Sequence, residues 1–568
     1  MLEELKMRHT VSLSALVALL AASAADVGAQ TALPSAATER LSLPSFEPPA
    51  RARGSVLPQA DLSAPLSEGS LAGSETLFVR KLVISGNTVL PEAAVMRVGD
   101  RFVGRDVSFA ELVELRDEIT QLYIERGYLT SGAVTPAVAA GDGVVQIDVI
   151  EGSLAAVAVN TDGRLRDRYV RDYLASFGPF DPVNVFNIER RLQVLQTDPG
   201  VRRVDARLLP GERRGESILD VRVAERSAFS AAFDVNNYQS PAIGAAGALV
   251  RADLRNLAGR TDILSTSLRA TEGLREVTLA YDMPVNSYGT TVGAHALGAR
   301  SEIVQPPFDH LGIEAKARTY GLTVAQPIER SPSTWATAFL TAEARRTESF
   351  LLGSGFSFAP GPDEGVAQIA VLRVGMERTS RGTRDVLAGR ATVSFGLDAL
   401  NATIHPGNTP DGRFTTFLGQ LQWAHRLERL KSQLVAHLDV QLADSALLGM
   451  EQIAIGGRST VRGYYENSLV RDSGAIGSVE LRIPLLRRPT GAAALEIMPF
   501  VDWSYSWNVR REEIGPHSLG SAGIGLRWSP LDRLVFDVSW GHPFTDLDYP
   551  GTNELQDHGI HIGMSYGM

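Results

Sequence analysis

An arginine at position 462, within Val461-Arg462-Gly463-Tyr464, and an aspartate at position 502, within Phe500-Val501-Asp502, are the residues of this 568-residue chain whose types and spacing are most informative. A guanidinium and a carboxylate form a charge-assisted, bidentate ion pair; they do not by themselves make a nucleophile or a proton shuttle. Asp502 sits in an alternating run in which Val501, Trp503, Tyr505 and Trp507 take one face and Asp502 the other. A strand that is aromatic outside and charged inside suits a membrane barrel with a wet interior. Arg462, on a loop, is then the expected partner of Asp502.

Other chemistries are poorly supplied. The chain has no cysteine, which removes disulfides, thiolate metal sites and cysteine nucleophiles together. Gly523-Ile524-Gly525 lacks the helix that a dinucleotide site needs after it. His542, between Gly541 and Pro543, reads as part of a turn. Asp557, His558 and His561 are offset by one and three residues, which on a strand sends side chains to opposite faces. No catalytic residue, metal site or cofactor is expected. A net charge of −10 and the absence of a basic stripe argue against a nucleic-acid partner.

The elements that must position Arg462 and Asp502 follow from the rest of the chain. Lys6, Arg8 and His9 precede an apolar run, Val11 to Ala25, and then Val27-Gly28-Ala29, so residues 1–29 read as a signal peptide with cleavage before Gln30. Residues 30–75, dotted with prolines, read as a linker or N-terminal extension. A first α+β module is expected over 76–152. It comprises a strand over Phe78 to Ile84, the turn Ser85-Gly86-Asn87, a short helix after Pro91, a longer helix opened by the Ser108/Glu111 capping box, and strands at Leu129 to Thr135 and Val144 to Ile150. The same order recurs over 153–226, which makes an internal repeat of about 75 residues.

From 227 to 568 helical periodicity gives way to alternation. Phe229, Ala231, Phe233 and Val235 share one face, as do Leu434, Ala436, Leu438, Val440 and Leu442, and later Ile560, Ile562, Met564, Tyr566 and Met568. Runs of about ten residues separated by turn residues match a tilted strand crossing a bilayer, and about twenty residues per strand with its loop gives on the order of sixteen strands. Long spacers such as Ser354 to Gly365 and aromatics near strand ends favour a membrane barrel over a soluble β domain.

Several segments resemble a known family. Phe78 to Asn87 is similar to the opening strand of a POTRA domain, Glu125-Arg126-Gly127-Tyr128 to the end of its second helix, and Ile147 to Gly152 to its closing strand. Gly456-Gly457-Arg458-Ser459-Thr460-Val461-Arg462-Gly463-Tyr464-Tyr465-Glu466, with Ser478-Val479-Glu480-Leu481 after it, resembles the sixth-loop block of two-partner-secretion transporters of the haemolysin-activator type, the TpsB family. The resemblance implies a mainly β chain with α+β modules: a sixteen-stranded antiparallel barrel in the outer membrane, preceded by two periplasmic POTRA domains. It also implies that the Val461–Tyr464 loop folds into the lumen, that Arg462 meets Asp502 on the wall, and that Gly456, Gly457, Glu466 and Glu480 support the loop. Two departures are the proline-dotted 30–75, a poor site for a pore-plugging helix, and a chain that ends in Met568 instead of Phe.

The implied function is export of an unfolded secreted partner, a TpsA-like adhesin, cytolysin or toxin, through the lumen without ATP. Further implied partners are outer-membrane lipid and the assembly machinery that inserts the barrel itself. An extended cargo segment could add to a POTRA sheet edge as an extra strand. The candidate groove is Leu82, Val83, Ile84, Leu112, Leu115 and Ile119, although for most of these residues a plain domain core is the favoured reading. Two alternatives remain open: an assembly factor of the same superfamily, which usually carries more POTRA domains, and a solute porin, which would explain neither repeat nor loop.

Overall fold

The computed structural model describes residues 76–134, 137–138, 143–489, 491–547, 549 and 554–568. The expected signal peptide and linker, and any plugging helix, lie outside the described residues. The chain divides into two compact units, one holding the α/β modules together with residues 256–261 and the other holding the remaining 227–568 segment.

The first α/β module is a small sheet covered by two helices. Lys81–Ser85 pairs in parallel with Val144–Ile150, which pairs on its other side with Gly132–Ala133 and Ala137–Val138. Helices Glu92–Gly99 and Phe109–Glu125 bury Val95, Leu112, Leu115, Ile119 and Tyr123 against Leu82, Val145, Ile147 and Val149. The longer helix starts where the sequence puts it. Ser108 accepts from the Glu111 amide, and the Glu111 side chain accepts from the Ser108 amide. That amide, the Arg105 guanidinium and the Ser108 hydroxyl hold the Glu111 carboxyl down to about 2. The turn Ser85-Gly86-Asn87 needs its glycine: φ is +80°, and a Cβ would lie 2.2 Å from the Val149 carbonyl oxygen.

Two expectations are corrected here. The expected strand over Phe78 to Ile84 is two strands, Thr76–Phe78 and Lys81–Ser85, because the chain changes partners between them. Val79 exchanges backbone bonds with Gly104 and Arg105, at 2.7 and 3.0 Å, before Arg80 donates to Gly143 at 2.7 Å. The strand expected over Leu129 to Thr135 shrinks to Gly132–Ala133, since Ser131 is still in a turn closed onto Tyr128.

The second module repeats the order. Ser153–Asp162 runs parallel to Glu216–Glu225, which also pairs with Val201–Pro210, and helices Asp167–Ala175 and Val185–Gln196 cover the sheet. The two modules meet at Arg126-Gly127. Val185 donates to the Gly127 carbonyl at 2.9 Å, and Asn184 donates to that of Arg126 at 2.9 Å while capping its own helix. Gly127 has a φ of +88°, and a Cβ there would strike the Phe186 ring at 2.6 Å.

The described residues of the rest of the chain form a closed antiparallel barrel of sixteen spanning strands, from Phe229–Asn236 to Ile560–Gly567, each paired with its neighbour in the barrel order. The two-residue strand Ser354–Gly355 only folds back to pair with the end of Thr334–Leu351. Closure comes from five register pairs between the first and last strands, Ala232↔Gly567 to Asn236↔Gly563. The faces alternate as expected. Along Ala493–Trp507, Val501, Trp503 and Tyr505 are about half exposed on the lipid side, while Asp502, Ser504 and Ser506 are at most 3% exposed on the lumen side. Gly541-His542-Pro543, read from sequence as a turn, closes the strand Leu534–Pro543 instead.

The capping box makes a testable contribution. Ser108→Ala should weaken the longer helix by about 1 kcal/mol, seen as a roughly fivefold rise in amide exchange over residues 109–125. Glu111 has a lowered pKa in the fold, so its contribution is present above its ordinary value of 4.5 and is lost as pH falls from there toward about 2.

Candidate functional site

The loop between the strands Ser432–Ala443 and Ser473–Arg487 turns into the lumen and carries Arg462 to the barrel wall. Cross-strand register prepares the receiving surface. Ser478 lies opposite Asp502 and Glu480 opposite Phe500, so a hydroxyl, two carboxylates and an aromatic ring face the lumen together. Arg462 Nε donates to Asp502 Oδ2 at 2.7 Å and Nη2 to Oδ1 at 2.8 Å, the bidentate fork. The Arg462 amide donates to Oδ2 at 3.0 Å and the Ser478 hydroxyl to Oδ1 at 2.6 Å, so Asp502 accepts four bonds and its carboxylate is filled.

Arg462 is satisfied on its other sides too. Nη1 donates to Glu480 Oε2 at 2.6 Å, and Nη2 also reaches the Ser478 hydroxyl at 3.1 Å. The guanidinium carbon lies 3.4 Å from the centre of the Phe500 ring, a desolvated cation–π contact. Arg482 neutralises the second oxygen of Glu480 at 2.8 Å. With Arg462 5% and Asp502 1% exposed, removing either side strands a buried charge, at a cost of roughly 3–5 kcal/mol.

Around this pair the loop is held by backbone fit. Gly463 has a φ of +97°, and its missing side chain lets it lie on Gly541, whose carbonyl oxygen would be 2.8 Å from a Cβ. In return, a Cβ on Gly541 would lie 2.8 Å from the Arg462 carbonyl carbon and oxygen, and one on Gly559 would lie 2.2 Å from Gly541 oxygen. Three glycines, one from the loop, one from the strand Leu534–Pro543 and one from the turn just before the last strand, therefore form one contact. Tyr464 is buried; its hydroxyl donates to the Gly520 carbonyl at 2.9 Å and accepts from the Thr545 amide at 3.1 Å. Tyr465 stacks on Tyr549 at 3.8 Å and donates to Asp557. Val461 is fully buried beside Ile455 and Ile476.

The expected supporting residues fall into two groups. Gly456, Gly457 and Glu466 shape the loop itself. The Glu466 carboxylate accepts from the Arg458 amide at 2.5 Å and fills the space where a Cβ on Gly457 would go. Glu480 stands on the wall as a second acceptor for Arg462. Sequence reasoning missed Ser478, Gly541, Gly559, Tyr549 and Asp557 as loop contacts, and gave Phe500 no role. Strand register sets Ser478 opposite Asp502 on the lumen face, and no local signal in the sequence marks which wall residues a folded-back loop will touch.

The apolar groove in the first α/β module is corrected. Leu82, Leu112, Leu115 and Ile119 are at most 5% exposed and form the module's core; Ile84 packs on that core, and Val83 is half-buried. They offer no apolar groove. What the module does offer is the strand Lys81–Ser85, which has one sheet neighbour among the described residues.

Comparison with known proteins places the chain. The family described as haemolysin secretion/activation protein ShlB/FhaC/HecB matches residues 215–528, more than half of the chain, and the ShlB-type POTRA domain matches residues 77–152. The chain belongs to the haemolysin secretion/activation family. It is 21% identical over 525 residues to the outer membrane transporter CdiB of Dickeya dadantii (strain 3937), covering 89% of each chain. It is 22% identical over 473 residues to the heme/hemopexin transporter protein HuxB of Haemophilus influenzae (strain 86-028NP), covering 78% of this chain and 79% of that one. In fold it is similar to CdiB from Escherichia coli, with a TM-score of 0.63 at 18% identity, covering 89% of this chain and 93% of that one. BamA from Haemophilus ducreyi lacking POTRA domains 1–3 shares the fold at a TM-score of 0.56 and 13% identity, covering 87% of this chain and all of that one. Members of the haemolysin secretion/activation family among these relatives are transporters, and this chain is an outer-membrane barrel with its POTRA domain in the periplasm.

The glycine contact yields a prediction. Gly541→Val should lift the loop tip off the wall while the barrel stays folded. Trypsin added to intact cells should then cut at Arg458 or Arg462, and should leave both sites intact in the parent protein.

Proposed function

We propose that this chain recognises an unfolded secreted partner protein in the periplasm through its POTRA domains, with residues 153–226 as the second of them, and exports it through the barrel lumen without ATP. The observation that carries this reading is the Arg462, Asp502 and Glu480 network in a chain of the haemolysin secretion/activation family. A loop tied across an aqueous lumen is a removable obstruction, as a conduit for polypeptide requires and a static wall does not. Capture is by backbone: an extended cargo segment adds to Lys81–Ser85, where main-chain hydrogen bonds give affinity without demanding one sequence. Lys81 and Val83 point away from the helix-covered face and supply what side-chain choice there is. Cargo that folds outside cannot slide back, so folding can draw the chain through.

A second reading, an assembly factor that inserts other barrels, draws on the fold shared with BamA. Family membership and the two α/β repeats among the described residues favour the exporter.

Deleting the gene in the source bacterium and comparing culture supernatant with outer membrane tests the choice. The exporter predicts loss of one or two large secreted proteins with other barrels unchanged; broad depletion of barrels would mean an assembly factor. Arg462→Ala should lower secretion of the same cargo at least tenfold while the protein reaches the membrane at its normal level. Undiminished secretion by that variant would remove the loop from the mechanism.

A further inference from the structure

The loop that carries Arg462 has a second buried ionic contact, at its other end and with the charges reversed. Gly449–Glu451 is a single turn of helix at the root of the loop, and Glu451 is 5% exposed. Its carboxylate meets two arginines of the wall. Arg345, on Thr334–Leu351, donates to Oε1 at 2.6 Å; Arg373, on Val366–Arg381, donates to both oxygens at 2.8 and 3.0 Å. Arg345 also donates to the Met450 carbonyl at 3.0 Å, and Gln441 to the Glu451 carbonyl at 2.9 Å. Arg373 is itself oriented by Glu343 at 3.0 Å and by Ser394 at 2.8 Å. Beside these charges Leu447, Leu448 and Met450 pack on Ile369 and Val371 of the same wall strand.

The two contacts hold opposite sides of the loop. Arg462 is tied to the twelfth and thirteenth strands, which follow the loop, whereas Glu451 is tied to the seventh and eighth, well before it. Arg373, Glu343 and Glu451 also line a lumen cavity of about 320 Å³, so the root stands at the edge of the aqueous space. Ten residues of loop separate the two ties, and no described side chain bonds to both.

We propose that Glu451, clamped between Arg345 and Arg373, is a second positioning residue for transport, one that holds the loop root in the lumen independently of the Arg462 tie. Freeing Arg462 alone then releases the tip and leaves the root across part of the lumen. The open channel requires both ties to break. This rests on the export reading only in taking the loop to stand in the path.

The test is channel opening by the purified full chain in planar lipid bilayers, with heat-shifted gel mobility as the check that each barrel is folded. Glu451→Gln should raise the open fraction about tenfold, as expected for losing a charge-assisted contact. Adding Arg373→Gln to it should change the open fraction less than twofold, because both act on one contact. Adding Asp502→Asn should multiply the two single effects, because the ties are separate. Glu451→Gln behaving as the parent, or having no further effect in the Asp502→Asn background, would overturn the proposal. If Glu451→Gln does not fold, Arg345→Met replaces it: this removes one arginine and leaves Arg373, and should give about a threefold rise; no rise would overturn the proposal equally. Secretion measured in parallel separates the two readings. Easier opening with cargo export unaffected would count against the lumen as the path and leave the tie standing.

Discussion

A carboxylate on the inner wall of a membrane barrel, buried under a loop, must have a cation, and the structure of this protein depends on how Asp502 gets one. Its four acceptor positions are filled by the Arg462 fork, the Arg462 amide and the Ser478 hydroxyl. Because one of those donors is backbone, the interaction fixes the path of the loop as well as the end of a side chain. Gly463 against Gly541 then follows as a requirement: with both the guanidinium and its own amide on Asp502, the next residue lies too close to the adjacent strands for any Cβ. Tyr464 and Tyr465 extend the same placement toward Gly520 and Asp557.

The arrangement is strong in one direction only. A buried ion pair gains little over a well-packed apolar substitute, yet breaking it by removing one partner is costly. That asymmetry suits a part that must hold one shape and be displaced as a unit. A loop held by scattered apolar contacts would peel gradually; one held by a filled carboxylate, a glycine contact and a buried root stays in place until those contacts fail. The tie at Glu451 gives the root the same property from the far side of the lumen.

Much of this was legible in the sequence where the pattern is periodic or the spacing local. Alternation gave the lumen face of Asp502 and the lipid face of Val501 and Trp503, and the Ser108/Glu111 spacing gave the start of a helix to the residue. The Val461–Tyr464 block pointed to an inward loop. What stayed hidden was long-range. Glu451, Arg345 and Arg373 are ordinary charges in the sequence, brought together only when barrel closure sets which strands surround the loop. Gly541 read as a turn residue because it precedes His542-Pro543, whereas its smallness serves the loop from within a strand. Leu82 and Leu112 read as a core more readily than as a groove, but both readings stayed open, since apolar periodicity does not say whether a partner or the domain itself covers a face.

The chain has no native cysteine, so a single introduced thiol reports on the loop without interference. The most direct measurement is the reaction of a Val461→Cys variant on intact cells with a membrane-impermeant maleimide, in the parent background and with Asp502→Asn, which turns an amide NH2 toward the guanidinium. The account predicts little labelling in the first and rapid labelling in the second, at equal amounts of folded barrel. Equal labelling in both would contradict the claim that the Arg462 and Asp502 pair holds the loop inside.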